Sequence, residues 1–269
     1  MLLQGLKKGD DEGTTSGGDP LVPAAITDTG CERELNEDRY AVIECSSGLA
    51  WIVCDGMGGA MGGELAAQLA IDAIRRDLEN LPSRPVDVSI KSAILEANRV
   101  IVLRRQNPAF SGMGTTVVGI MFNGPEVSIA HAGDSRAYLI RDRAIQQLTK
   151  DHTYVQDLVD KGKISSEEAL SHPQAHVLTR CIGSEPGLEV DVEKLWIWES
   201  NGSDPVDYIL LCSDGLYSLV SDGEIANIVS DFAPQRACVE LVELGKSRGG
   251  YDNITVAVIP ISGQLKNET

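Results

Sequence analysis

Five aspartates stand where apolar runs begin or stop. Asp55 closes the run 49–54, Asp214 follows 208–213, Asp134 lies in the turn after 127–131, and Asp252 immediately precedes 253–261. Asp38, with Glu37 beside it, precedes the first such run. Taken singly, each reads as turn chemistry: Asp-Gly is a common turn pair, and Asp222-Gly223 reads as no more than a helix start. As a set they read differently. Carboxylates delivered by strand ends can converge at one mouth, and without compensation they repel one another and take up protons. Hard divalent cations relieve that repulsion, because Mg²⁺ and Mn²⁺ prefer carboxylate, carbonyl and water oxygen.

Two neighbouring features extend that chemistry. The run Asp55-Gly-Met-Gly-Gly-Ala-Met-Gly-Gly63 lets the backbone approach an ion closely and turn a carbonyl towards it. It is not a nucleotide loop: Met61 stands where G-x-G-x-x-G needs its third glycine, and this run lacks the G-K-[ST] of a P-loop. Arg33 lies five residues before Asp38, and a guanidinium can bind a phosphate dianion through two parallel hydrogen bonds. Asp28-Thr-Gly30 matches an aspartic-protease tripeptide, but no second copy exists to build the dyad.

The chain that must position these groups is acidic. Forty acidic residues against 23 basic ones leave a net charge of −17 over 269 residues, with a pI of about 4.6. Nucleic-acid and membrane partners are therefore not expected. Hydrophobic residues make up 42% and the mean hydropathy is −0.07, enough apolar material for a core. No stretch reaches the ~20 apolar residues of a membrane-spanning helix. The first residues lack an apolar h-region and a small-residue cleavage site, so no secretory signal is read there. The six cysteines form no C-x-x-C pair and read as free thiols, and His131, His152, His172 and His176 do not combine with them at zinc-ligand spacing. A reducing, cytoplasmic location and a monomer are expected.

Residues 1–22 and 263–269 read as mobile tails around one domain, 23–262. Strand-like runs at 39–44 and 49–54 form a hairpin. Those at 114–122, 126–131, 135–141 and 144–148 read as a four-stranded antiparallel meander, and 195–199, 206–212 and 253–261 follow. Helical periodicity covers 64–79, 89–105, 222–232 and 234–246. Hairpin-linked strands with paired helices predict an α+β fold of antiparallel sheets with helix pairs on their faces. The polar, partly helical stretch 151–187 is expected at the surface beside the site.

Arg33-x-x-Asn36-Glu-Asp38, Val53-Cys-Asp-Gly-Met-Gly-Gly59, Gly112-Met-Gly-Thr-Thr116, His131-Ala-Gly-Asp-Ser-Arg136, Leu211-Cys-Ser-Asp-Gly-Leu216 and Gly250-Tyr-Asp-Asn-Ile-Thr-Val256 occur in this order. Together they resemble the signature set of the metal-dependent protein phosphatases (PPM, or type 2C Ser/Thr phosphatases), compact bacterial type. The resemblance spans roughly residues 24–260. It implies a four-layer αββα sandwich, two antiparallel β-sheets flanked by helix pairs, with two or three Mn²⁺ or Mg²⁺ ions at one end. By motif, Asp55 would bridge two ions and the Gly56 carbonyl would bind the second. Asp214 and Asp252 would hold the first, and Asp134 would share a third, looser ion with Asp214. Asp38 would touch an ion directly or hold a group that does, Glu37 being the alternative. Arg33 matches the phosphate-binding arginine, and 151–187 would be a flap over the substrate.

The implied reaction is hydrolysis of phosphoserine and phosphothreonine in phosphoproteins, reversing Ser/Thr kinases. A water activated between two divalent ions attacks phosphorus in line, with no covalent phospho-enzyme. The C-x5-R loop of the cysteine phosphatases is indeed missing. The alternative is a pseudophosphatase, the same fold used for binding. Met57 and Ala60 stand where relatives carry histidine, so no general acid is assigned; His131 and His152 read as structural.

Overall fold

The computed structural model describes residues 21–58, 62–198 and 206–267. Its strands alternate side chains between two apolar environments. In β10 (Asp207–Cys212), Ile209 and Leu211 face one buried cluster while Leu210 and Cys212 face another. A strand buried on both faces needs a layer on each side.

One sheet takes the order β1 (Ala24–Asp28), β11 (Ile254–Ile261), β10, β7 (Arg136–Arg141) and β8 (Ala144–Gln147). The other runs β12 (Gln264–Asn267), β9 (Asp191–Trp198), β6 (Glu126–Ala132), β5 (Val117–Asn123), β3 (Gly48–Met57) and β2 (Asp38–Cys45), with β4 (Gly114–Thr115) paired to the end of β3. Every pairing is antiparallel. Trp51, Ile120, Ile209 and Ile259 pack between the sheets.

Helices cover both outer faces. α1 (Gly62–Asn80) and α2 (Val86–Arg104) lie on the larger sheet, where Ala66, Ala67, Ala70 and Ala73 let α1 sit close and Ile74, Ile90 and Ile94 fill the layer. α6 (Asp222–Asp231) and α7 (Pro234–Ser247) cover the smaller sheet through Ile225, Ala237 and Leu241. The result is the αββα order expected. The 151–187 stretch carries two short helices, α3 (Tyr154–Asp160) and α4 (Ser166–Leu170), and α5 (Asp214–Tyr217) follows β10. All six cysteines are free.

Two expectations are corrected. The four runs from 114 to 148 do not form one meander: β5 and β6 belong to the larger sheet, β7 and β8 to the smaller. The turn between β6 and β7 therefore crosses from sheet to sheet, and Asp134 rides on that crossing. Nor is 263–269 a tail up to residue 267. β12 pairs with β9 from Gln264↔Trp198 to Asn267↔Leu195 and buries Leu265 between the sheets. The expected N-terminal tail, 1–22, lies outside the described residues up to 20.

Candidate metal centre

At one end of the sandwich the last residues of β3, the β6–β7 crossing, the start of α5 and the approach to β11 border one cavity of about 570 Å³. Asp55, Gly56, Asp134, Asp214, Asp252 and Arg33 all line it, as do Glu37, Met57, Thr116, His176 and Leu178. Asp38 does not. It sits directly across from Asp55 in the β2–β3 register but is 1% exposed. Its Oδ2 accepts hydrogen bonds from Ser213 Oγ at 2.6 Å and Thr255 Oγ1 at 2.7 Å. Ala60 lies outside the described residues.

Backbone hydrogen bonds fix the acids from behind. The Asp55 carbonyl accepts from the Thr116 N–H and the Thr115 hydroxyl, both at 2.8 Å, while the Asp55 N–H donates to Thr116 Oγ1 at 3.1 Å. Thr116 Oγ1 also meets Ser135 Oγ at 2.6 Å, tying the junction between β4 and β5 to the crossing that carries Asp134. Tyr217 Oη donates to the Asp134 carbonyl at 2.9 Å, linking that crossing to α5. The Asn253 side chain, one residue beyond Asp252, donates to the Thr29 and Leu35 carbonyls and accepts from the Glu37 N–H. This holds the Arg33 loop against the start of β11. Gly30 in that loop has φ +77°, and a Cβ there would stand 2.2 Å from the Asp252 carbonyl. Gly56 is equally constrained: a Cβ would lie 2.1 Å from the Gly63 carbonyl and 2.7 Å from that of Glu37.

Packed this way, the carboxyls are hard to ionise together. Burial, with the charges of Asp38, Asp214, Asp134 and Asp252 adding to it, raises Asp55 well above the usual carboxylate range. Burial pushes Asp38 up to about 7 against the help of its two hydroxyl donors, and pushes Asp134 to about 7 with Asp214 and Asp151 adding repulsion. Asp38 Oδ1 and Asp214 Oδ1 are buried without a hydrogen-bond partner. Arg33 is the one cationic side chain among the described lining residues apart from His176, and its Nη2 donates to Asp252 Oδ2 at 2.7 Å. Orphaned hard-oxygen donors, repelling carboxyls and a backbone that admits only glycine at 56 together suit a divalent cation.

His176 was not singled out from the sequence. It comes from the 151–187 stretch, and its Nδ1 stands 3.5 Å from Asp214 Oδ2, which raises its pKa. Nothing in its spacing marks it, because tertiary folding alone brings it over the cavity. His131 and His152 are 6% and 5% exposed and stay outside the lining. With Asp191 they form the one set among the described residues whose three donor atoms lie within 4.8 Å of one another. The cavity acids are spaced more widely.

The sequence description of protein phosphatase 2C matches residues 32–244. The serine/threonine protein phosphatase PstP of Mycobacterium tuberculosis is 38% identical over 240 residues, 88% of this chain, which spans 44% of that protein's length. The serine/threonine phosphatase stp of Listeria monocytogenes is 36% identical over 241 residues, covering 87% of this chain and 93% of its own. The crystal structure of M. tuberculosis PstP/Ppp superposes with a TM-score of 0.78 at 36% identity, over 92% of this chain and 99% of that one. The PstP catalytic domain in complex with two manganese ions gives 0.76 at 35%, over 89% and 98%. A family match over most of the length, a shared fold and relatives well above 30% identity agree with the carboxylate cavity: this chain belongs to the protein phosphatase 2C family.

Proposed function

We propose that this chain is a metal-dependent phosphatase that hydrolyses phosphoserine and phosphothreonine in phosphoproteins. The observation that carries the reading is the buried, mutually repelling set of carboxyls with orphaned oxygens, beside one guanidinium. Asp55, the Gly56 carbonyl, Asp214 and Asp252 would hold two divalent ions, and Asp134 would share a third with Asp214. Bound Mn²⁺ or Mg²⁺ would supply a water acidic enough to act as hydroxide near neutral pH. Asp38 supports this floor from beneath, its Oδ2 fixed by Ser213 and Thr255. Arg33, 49% exposed at its side chain, can leave Asp252 to take two phosphate oxygens.

The names of the relatives support the substrate class, since PstP and stp are called serine/threonine phosphatases. All the carboxylates required are present at the cavity, so a binding-only role has no support. Substrates of Ser/Thr kinases in the cytoplasm fit this reading, and among the described residues no helix is long and apolar enough to cross a membrane. Phosphoserine, phosphothreonine and phosphotyrosine peptides assayed across a Mn²⁺ and Mg²⁺ titration test it. Turnover of the first two that rises with added ion and vanishes in EDTA is expected; turnover indifferent to chelator ends the proposal.

A further inference from the structure

At the root of the 151–187 stretch the His131 and His152 rings stack with centroids 4.6 Å apart and planes 13° apart. Burial holds both below the ordinary histidine range, so each ring carries one N–H and one lone pair. The hydrogen bonds say which nitrogen is which. His131 Nε2 lies 2.8 Å from the Lys150 carbonyl, which can only accept, so its proton is there. His152 Nδ1 lies 3.2 Å from the Gly133 N–H, which can only donate, so the lone pair is at Nδ1 and the proton at Nε2. That Nε2–H is 3.2 Å from Asp191 Oδ2, and Arg180 occupies Asp191 Oδ1 at 2.7 Å. His152 has no lone pair left to share with a cation beside Asp191. The cluster is a clamp, not a metal site.

What it clamps is the crossing before Asp134. His152 bonds both polar groups of the Gly133 backbone, its own N–H donating to the Gly133 carbonyl at 3.0 Å while its ring accepts from the Gly133 N–H. Gly133 has φ +121°, a backbone conformation that glycine adopts and residues with a side chain rarely do. The same residue closes the flap root. Its carbonyl accepts from Thr179 N–H at 2.8 Å, and Thr153 bridges Leu178. Three residues on from Thr179, Ile182 exchanges backbone hydrogen bonds with Thr115, whose hydroxyl holds the Asp55 carbonyl.

We propose that His152 is a positioning residue that grips Gly133, aims Asp134 into the cavity and makes the flap root move with the Asp134 turn. The inference rests on the site reading above, in which Asp134 holds the loosest ion. It is tested by Mn²⁺ binding to the full chain, measured by calorimetry and by the electron paramagnetic resonance of free Mn²⁺. The chains compared are wild type, Asp134→Ala, His152→Gln and His152→Asn. A glutamine amide reaches Asp191 as Nε2 does but leaves the Gly133 N–H without its ring acceptor, while the backbone bond from residue 152 to the Gly133 carbonyl stays. An asparagine oxygen takes the Gly133 N–H as Nδ1 does but does not reach Asp191. Asp134→Ala removes the loosest Mn²⁺ class, His152→Gln weakens that class by about tenfold and spares the tighter ones, and His152→Asn stays within about twofold of wild type. Equal weakening in both His152 variants, or none in either, overturns the proposal while leaving the site reading intact. If Asp134→Ala changes no class, the site reading itself fails, before any His152 variant is compared. A further measurement needs no His152 variant: Mn²⁺ slows amide exchange at residues 151–153 and 177–180 of the wild type but not of Asp134→Ala. Unchanged exchange in the wild type also overturns the coupling.

Discussion

β10 carries an aspartate at its first residue, Asp207, and another two residues beyond its last, Asp214, and the fold treats the two in opposite ways. Asp207 is fully buried and fully answered. Arg141 donates through Nε to Oδ1 at 2.7 Å and through Nη2 to Oδ2 at 2.5 Å, and the Leu265 N–H adds a third donor at 2.7 Å. Asp214, at the other end of the strand, has one oxygen buried with no partner and the other only near an exposed imidazole. Its neighbours Asp38, Asp55 and Asp134 are likewise acids crowded against acids. A buried carboxylate whose charge is matched by a guanidinium is structure. One whose charge is left unmatched is where a ligand is proposed to bind, and a cation arriving there would relieve the repulsion.

The largest effect separates the two ends. Asp55→Asn is expected to lower kcat by roughly 10³-fold or more, since it removes the carboxylate proposed to bridge two ions. In EDTA its melting temperature should equal or exceed that of wild type, because repulsion with Asp38 and Asp214 is relieved. Asp207→Asn should do the reverse. Breaking the pair costs about 2 kcal/mol, moderated because Arg141 is a third exposed and finds water, while kcat per folded molecule is kept. Activity and melting curves on both variants check the crossing; a stability loss in Asp55→Asn as large as that in Asp207→Asn would erase the distinction.

A smaller effect follows from pH. Asp38 and Asp134 are raised from an ordinary 3.8 to about 7 in the fold. Between those values the folded protein binds protons that the unfolded chain has released, so stability is full below about pH 4 and is lost as pH rises through 7. In EDTA the melting temperature should therefore fall by several degrees, as an order of magnitude, from pH 5 to pH 8. Saturating Mn²⁺ should flatten or invert that slope, because the ions bind the ionised carboxylates. Asp207, paired with Arg141, predicts no such ion sensitivity. Melting curves with and without Mn²⁺ across this range decide it; a slope that Mn²⁺ leaves untouched would mean the ions do not see these acids.

How far the sequence reaches differs between the two regions. Asp55, Asp134, Asp214 and Asp252 could be picked out because strand ends are visible as breaks in apolar runs, and each does line the cavity. Asp38 could not be placed beneath the floor, since its burial depends on Ser213 and Thr255 arriving from distant strands. The sheet change between β6 and β7 was hidden because alternation tells which residues are buried, not which sheet buries them. β12 was missed for a related reason: in four residues only Leu265 is apolar, and what makes it a strand is the partner β9. His176 gives no local signal at all, as it reaches the cavity from the polar 151–187 stretch.

The finest discrimination concerns the two guanidiniums. Arg33 pairs with Asp252 at 2.7 Å as Arg141 pairs with Asp207, though through one hydrogen bond where Arg141 makes two. The surroundings differ. Side-chain exposures of 49% for Arg33 and 36% for Asp252 place their pair at the cavity rim, where water screens it and its stabilising effect is small. Arg33→Ala is thus expected to leave the melting temperature within about a degree of wild type and to raise KM for a phosphopeptide about tenfold, with a smaller change in kcat. Arg33→Lys should recover only part of the loss, because an ammonium offers a point charge where the guanidinium offers two parallel donors. A melting temperature that drops with KM unchanged would make Arg33 a second Arg141, and the phosphate would then need another partner in the cavity.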